Sequence, residues 1–150
     1  MQMITTSNLN TLRKEIKTLK EKKETVVVQA GSQEFNRKVV ENKDVDIFLD
    51  PHVHDRKDYM KQRDSGLNEV LCKLAKQNNI KIGIDWPLIK KMAKKDKAIM
   101  LSRIKQNIDL CKRTKTQIII YPKSLSNQEI SSIFLSLGAS TNQAKEASPH

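Results

Sequence analysis

The chain has 150 residues, with 28 Lys and Arg against 17 Asp and Glu, a formal net charge of +11. That length suits one domain with a core of its own, and no run of eighteen apolar residues occurs that could span a bilayer. The charge disfavours cationic partners and selects polyanions, nucleic acid first and an anionic membrane surface second.

The opening MQMITTSN lacks the basic-then-apolar layout of a signal peptide. Met3–Thr6 reads as a first short strand. Ser7 or Asn8 can cap a helix in which Leu9, Leu12, Ile16 and Leu19 recur at helical spacing, with lysine and glutamate opposite. Thr25–Ala30 (TVVVQA) is β-branched, hence a buried strand. Gly31-Ser32 turns it into a helix over about Gln33–Asn42 carrying Phe35, Val39 and Val40. Val45–Leu49 is the next strand. Asp50–Asp64 is a charged loop of about fifteen residues, long for a compact domain and of the kind that is often functional or mobile.

Asp64 or Ser65 can cap the next helix, striped by Leu67, Val70, Leu71, Leu74 and Ala75. Gln77-Asn78-Asn79 is a turn. Ile80, Ile82 and Ile84 alternate as a strand, with Gly83 leaving room for a close neighbour. Pro87 suits the first turn of a short helix, and Lys90–Lys97 is a basic connection. A long helix over about Ala98–Thr114 turns Leu101, Ile104, Ile108 and Cys111 inward, leaving Arg103, Lys105, Lys112 and Arg113 free to reach outward. Gln117–Tyr121 is the last clear strand. Ser126-Asn127-Gln128-Glu129 is a capping box ahead of Ile130, Ile133, Phe134 and Leu137, and Gly138 is a C-terminal stop. Ser140–Gln143 can cap a last short helix.

Five strands alternating with at least five helices mean a parallel sheet covered by helices, an α/β chain read as a single β/α domain over 1–150. Length alone favours an open doubly wound sheet over a (β/α) barrel, which needs eight units and about 250 residues. Cys72 and Cys111 fall on apolar helix faces and read as buried thiols, which fits a reducing cytoplasm.

Candidate chemistry is sparse. Asp50–Asp55 reads DPHVHD just past a strand end, where barrel active sites lie. His52 and His54, with Asp50 and Asp85, could hold a metal for phosphoester hydrolysis. Solvated loop histidines are the simpler reading, because His150 is the only other histidine and no helical H-E-x-x-H pattern supports the set. No phosphate-cradling glycine motif or nucleophile elbow occurs among only four glycines. The positive charge is concentrated, with ten basic and two acidic residues over Lys90–Lys115. Aromatics are few (Phe35, Phe48, Tyr59, Trp86, Tyr121 and Phe134), and the phenylalanines read as core. Contact through phosphates and shape on folded RNA therefore suits the chain better than base stacking. The candidates are Arg37, Lys38, Arg56, Lys57, Arg63, Arg103, Lys105, Lys112, Arg113, Lys115 and Lys123. A lysine-rich solvated face is the plain alternative for each.

Four strings in order carry a resemblance: QAGSQEFNRKVVENKDVDIFLDP, DSGLNEVLCKLAKQNN, LSRIKQNIDLCKRTK and LGASTNQAKEA. Neither helix propensity nor an apolar stripe requires them. In this order the chain resembles the archaeal ribonuclease P protein component 3 family over roughly Val26–Ala147, without a counterpart of that family's leading β/α units. The resemblance implies a partial TIM-barrel-like fold. It also implies a non-catalytic, cytoplasmic RNA-binding subunit of an endonuclease complex that removes 5′ leaders from precursor tRNA. The implied partners are ribonuclease P RNA, protein component 2 and the other protein subunits, with precursor tRNA met indirectly. Mg²⁺ would serve the RNA subunit, and this chain would bind no cofactor, metal or membrane. Arg63, Arg103, Lys105 and Lys112, which lie in or beside the matching strings, rank first as RNA contacts.

Overall fold

The computed structural model describes residues 3–58, 60 and 63–148. Tyr59 and His150 lie outside the described residues. The elements run α1 (Leu9–Glu21), β1 (Val27–Gln29), α2 (Gln33–Val40), β2 (Ile47–Leu49), α3 (Glu69–Gln77), β3 (Lys81–Ile84), α4 (Trp86–Lys90), α5 (Lys94–Thr114), β4 (Ile118–Ile120), α6 (Asn127–Ser136) and α7 (Thr141–Glu146).

All four strands are parallel and lie in the order β1-β2-β3-β4. The expected first strand is reduced to one bridging residue, Ile4, which pairs with Val28. Its N–H donates to the Val27 carbonyl at 2.8 Å, and its carbonyl accepts from Gln29 at 2.9 Å. Each strand is thus added beside the one before it. A doubly wound sheet reverses direction at a switch point, and this sheet has none, so the open-sheet alternative gives way to the arc of a β/α barrel. Right-handed crossovers in one direction put every connecting helix on the same face.

The two faces differ accordingly. Val28, Phe48, Ile82 and Ile118 form one row toward the helices and share the main core with Leu12, Ile16, Phe35, Val39, Cys72, Ile104, Ile108 and Phe134. Val27, Ile47, Leu49 and Ile119 form the other face and pack with Met3 and Tyr121, with no helical residue among them. Gly83 belongs to this face. A Cβ there would stand 2.9 Å from both Ile47 Cγ2 and Leu49 Cδ1, so the absent side chain lets its neighbours lean across β3.

Caps account for most helix starts. Asn8, Ser32, Asn68, Asp85, Ser126 and Ser140 each accept a backbone N–H in the first turn of their helix, and the last two form full capping boxes. Gly138 has φ +91 and ends α6 as expected. Two boundaries differ from the sequence reading. The α3 cap is Asn68, because Asp64 and Ser65 are drawn into the preceding loop. Val70 consequently turns outward, and the stripe runs through Leu71, Cys72 and Ala75. The basic connection is largely helical, since α5 begins at Lys94. Lysine is a good helix former, and Asp96 in the first turn suits the positive helix end.

Candidate nucleic-acid interface

One side chain from α5 gathers the charged loop after β2. Arg103 rises from the middle of α5 and is 4 % exposed. Its Nη1 donates to the carbonyls of His52 at 2.9 Å and His54 at 3.2 Å. Its Nη2 donates to the carbonyl of Arg56 at 3.3 Å, and its Nε to Asp58 Oδ1 at 3.2 Å. A planar guanidinium suits such a fan of acceptors. The expectation that Arg103 reaches outward is therefore corrected: a helix-borne arginine beneath four loop acceptors is spent on the loop.

The same loop collects further internal bonds. Asp58 also accepts from Arg63 Nη1 at 2.9 Å and from the Asp64 N–H at 2.7 Å. Burial pushes its carboxyl up, but these donors and Arg103 outweigh it and hold it at about 2. Arg56 Nε lies 3.2 Å from Asp64 Oδ2. Asn107, one turn along from Arg103, donates to the Ser65 carbonyl at 3.0 Å. Gly66 adopts φ +81, and a Cβ there would meet the Pro51 carbonyl oxygen at 1.7 Å. The unusual strings around SGLN and SRIKQN thus build a clasp between loop and helix.

The histidines are not solvated as the sequence suggested. His54 Nε2 donates to the Asp64 carbonyl at 2.6 Å while its Nδ1 accepts from the Arg56 N–H at 3.2 Å, which fixes a neutral tautomer. Burial moves its pKa down. His52 is 1 % exposed, and among the described residues neither ring nitrogen has a hydrogen-bond partner. Burial, then the charge of Arg103, lowers its pKa to about 3. Asp50 Oδ1 stands 3.7 Å from His52 Nε2 and accepts from the Asp85 N–H at 2.9 Å. Burial raises Asp50 to about 7, against the pull of that N–H. Asp50, His52, His54 and Asp85 are not gathered round a common point. Among the described residues no three His, Cys, Asp or Glu side chains stand close enough to hold a metal ion.

The basic candidates divide by their partners. Arg37 and Lys38 share Glu41 at 2.6 and 3.8 Å, Arg63 takes Asp58, Arg56 takes Asp64, and Arg113 lies 3.4 Å from Asp109. The exposed pairs are weak, yet each cancels local charge. Arg37, Lys38 and Arg63 do meet, on the rim of a cleft of about 680 Å³ floored by Leu67 and Leu71. Lys57, Lys105, Lys112, Lys115 and Lys123 are exposed and form no ion pair among the described residues.

Two of these free lysines gain company that the sequence reading missed. Lys112 and Lys115, at the end of α5, line a cleft of about 630 Å³ together with Lys76 from α3 and Lys81 from β3. Among the described residues Glu146 is the one carboxylate in its lining. Lys112 Nζ donates to the Gly138 carbonyl at 2.9 Å, which steers the chain without neutralising it, and Lys115 caps α5 with φ +59. The signal available in sequence was the Lys76–Lys81 pair bracketing one turn. It needed the neighbouring strand and helix to give it meaning.

No helix of the described residues is long and apolar enough to cross a membrane. Cys72 and Cys111 are free and buried, as expected.

No family model matches the chain. Curated relatives do. The chain is 28 % identical over 117 residues to "Ribonuclease P protein component 3" of Methanococcus maripaludis, covering 78 % of this chain and 47 % of the relative. It is 31 % identical over 108 residues to the protein of the same name from Methanosarcina mazei, covering 71 % and 41 %. The chain spans about half the length of the curated relatives it matches. Its fold matches a chain of a "cryo-EM structure of archaeal Ribonuclease P with mature tRNA" with a TM-score of 0.79 at 22 % identity, over 97 % of this chain and 62 % of that one. That likeness agrees with a partial TIM-barrel-like fold.

Proposed function

We propose, on the premise that the chain's homologues are ribonuclease P protein component 3 proteins, that it is a non-catalytic RNA-binding subunit of a ribonuclease P. In this reading it acts as one β/α domain that stabilises the catalytic RNA during 5′-leader removal from precursor tRNA. Its partners are the ribonuclease P RNA, protein component 2 and the remaining protein subunits, and precursor tRNA is met through the assembly. Mg²⁺ serves the RNA subunit. A cytoplasmic setting goes with this role and with two free buried thiols.

The observation that carries the reading, beside the homology, is the cleft with Lys76, Lys81, Lys112 and Lys115. Four ammonium groups without ion-pair partners among the described residues lower the cost of bringing RNA phosphates together, and they release condensed counterions when phosphates replace them. The loop beyond β2 supports a protein role rather than a catalytic one. His52 is sealed, His54 is bonded at both nitrogens, and Arg103 is bound within the chain.

Lys57, Lys105 and Lys123 remain candidate contacts outside the cleft, and Arg37, Lys38, Arg56, Arg63, Arg113 would have to exchange a carboxylate for a phosphate. Arg103 serves binding only by holding the loop. The test is reconstitution of the ribonuclease P RNA and protein subunits with and without this chain, followed by a precursor tRNA cleavage assay at limiting Mg²⁺. Cleavage should depend on the chain. Equal rates with and without it, under conditions where it is folded, would sink the reading.

A further inference from the structure

A second surface carries both charge and an aromatic ring, at the opposite end of the strands from the lysine cleft. Just past the C-terminal end of β3, Trp86 opens α4, and Asp85 caps that helix by accepting the Leu88 N–H at 3.3 Å. Trp86 is half-buried and packs against the main core. It lines a cavity of about 290 Å³ with Pro87, Leu125, Ser124, Lys90 and Lys91. The segment after β4 supplies Ser124 and Leu125, so two successive strand ends contribute to the cavity.

Lys90 and Lys91 begin the most concentrated charge on the chain. Lys90, Lys91, Lys94, Lys95 and Lys97 fall within eight residues, with Asp96 as the only acid among them. None of the five forms an ion pair among the described residues. Three of them, Lys94, Lys95 and Lys97, stand in the first turn of α5, where the helix dipole opposes positive charge. The start of this helix therefore carries charge that its own stability does not favour. An anion is the group that would relieve it.

We propose that Trp86, Lys90 and Lys91 form a site for one unpaired RNA nucleotide, whose base stacks on the indole while its phosphates meet the lysines. An apolar, ring-bearing floor beside unpaired ammonium groups is the combination that single-stranded nucleic acid selects. A flat apolar ligand alone would leave the lysines unused, and a bare phosphate would leave the ring unused. The site deepens the RNA-binding reading and rests on it. It adds a single-stranded element that contact through phosphates and shape alone does not supply.

Trp86 is the only tryptophan in the chain, so its fluorescence reports on the site directly. A short single-stranded oligoadenylate titrated into the full chain should quench it. The same titration followed by anisotropy of a labelled oligonucleotide should lose about tenfold in affinity in Trp86→Leu and keep most of it in Trp86→Phe, as expected when one base loses its stacking partner. Circular dichroism checks folding. If Trp86→Leu does not fold, Lys90→Ala with Lys91→Ala keeps the reporter and should weaken the quenching titration by a similar factor. Unchanged affinity in the folded variants overturns the proposal, as does equal quenching by polyglutamate, which would make the surface a dock for acidic protein. Folded ribonuclease P RNA separates the two levels. If it binds through Lys76 and Lys112 while Trp86 emission and the Trp86→Leu affinity stay unchanged, the nucleotide site is wrong and the RNA reading stands. If wild type binds neither RNA, the RNA reading itself fails.

Discussion

Arg103 donates through Nη1 to the His52 carbonyl at 2.9 Å across 51 residues of sequence. Removing the guanidinium leaves four carbonyl or carboxylate acceptors facing a buried void, with Asp58 short of one of its donors. Arg103→Ala is expected to lower unfolding free energy by about 3–5 kcal/mol, and Arg103→Lys to recover only part, because one ammonium cannot span the fan. Urea denaturation measures both. A variant as stable as wild type, with altered RNA affinity only, would return Arg103 to the surface.

The lysine cleft predicts a salt effect. If Lys76, Lys81, Lys112 and Lys115 meet phosphates, log affinity for folded ribonuclease P RNA falls with log salt. Replacing all four by alanine should flatten that slope by up to about 3 units. The same substitution at Arg37 and Lys38, which already share Glu41, should flatten it by less. Salt titrations of the three proteins decide the matter, and equal slopes for wild type and the quadruple variant would move the contact elsewhere.

Asp50 and His52 oppose one another in pH. In the native chain Asp50 keeps its proton up to about pH 7, against an ordinary value of 3.8. Between those values the unfolded state holds fewer protons, so this group's contribution to stability falls as pH rises. His52 stays neutral down to about pH 3, against an ordinary 6.5. Between those values the unfolded state holds more protons, so its contribution rises with pH. Asp50→Asn removes the falling member and tolerates the positive φ at that position. The unfolding free energy of this variant minus that of wild type should therefore climb with pH between about 4 and 7, by at most about 1.4 kcal/mol per pH unit. Chemical denaturation at several pH values tests it. A pH-independent difference would mean that Asp50 ionises as an ordinary carboxylate.

Neighbouring residues on α3 should behave in opposite ways. Leu71 is 8 % exposed and Val70 is 52 % exposed. Leu71→Ala is expected to cost about 2–4 kcal/mol, and Val70→Ala less than about 0.5 kcal/mol. Thermal melts of the two variants check the rotation of the helix, and the reverse ranking would contradict it.

Sequence revealed the elements well where the signal is local. Apolar spacing and caps found the helices, and β-branched or isoleucine-rich runs found the four strands. Strand order was not local. Length alone favours a doubly wound sheet, and the resemblance carries the barrel arc instead. The clasp escapes a sequence reading that turns charged and polar side chains outward. Yet Met100, Arg103, Ile104, Asn107, Ile108 and Cys111 are all buried on α5, and their spacing of three and four is one continuous stripe. Arg103 and Asn107 interrupt that stripe in polarity and not in position. Reading them as members of it would have pointed to buried acceptors opposite. Which acceptors, and the sealing of His52, depend on a loop brought from 50 residues away, and no periodicity records that.

The sequential strand order has a consequence for how the chain is made. Each strand pairs with its immediate predecessor, so a unit leaving the ribosome finds its docking edge already formed, and assembly can keep pace with synthesis. The clasp is the exception. The segment after β2 is translated well before α5, and its carbonyls wait for Arg103. Its amides should gain protection from hydrogen exchange after those of β1 and β2, and a nascent chain stalled before α5 should be cut by protease within this segment first.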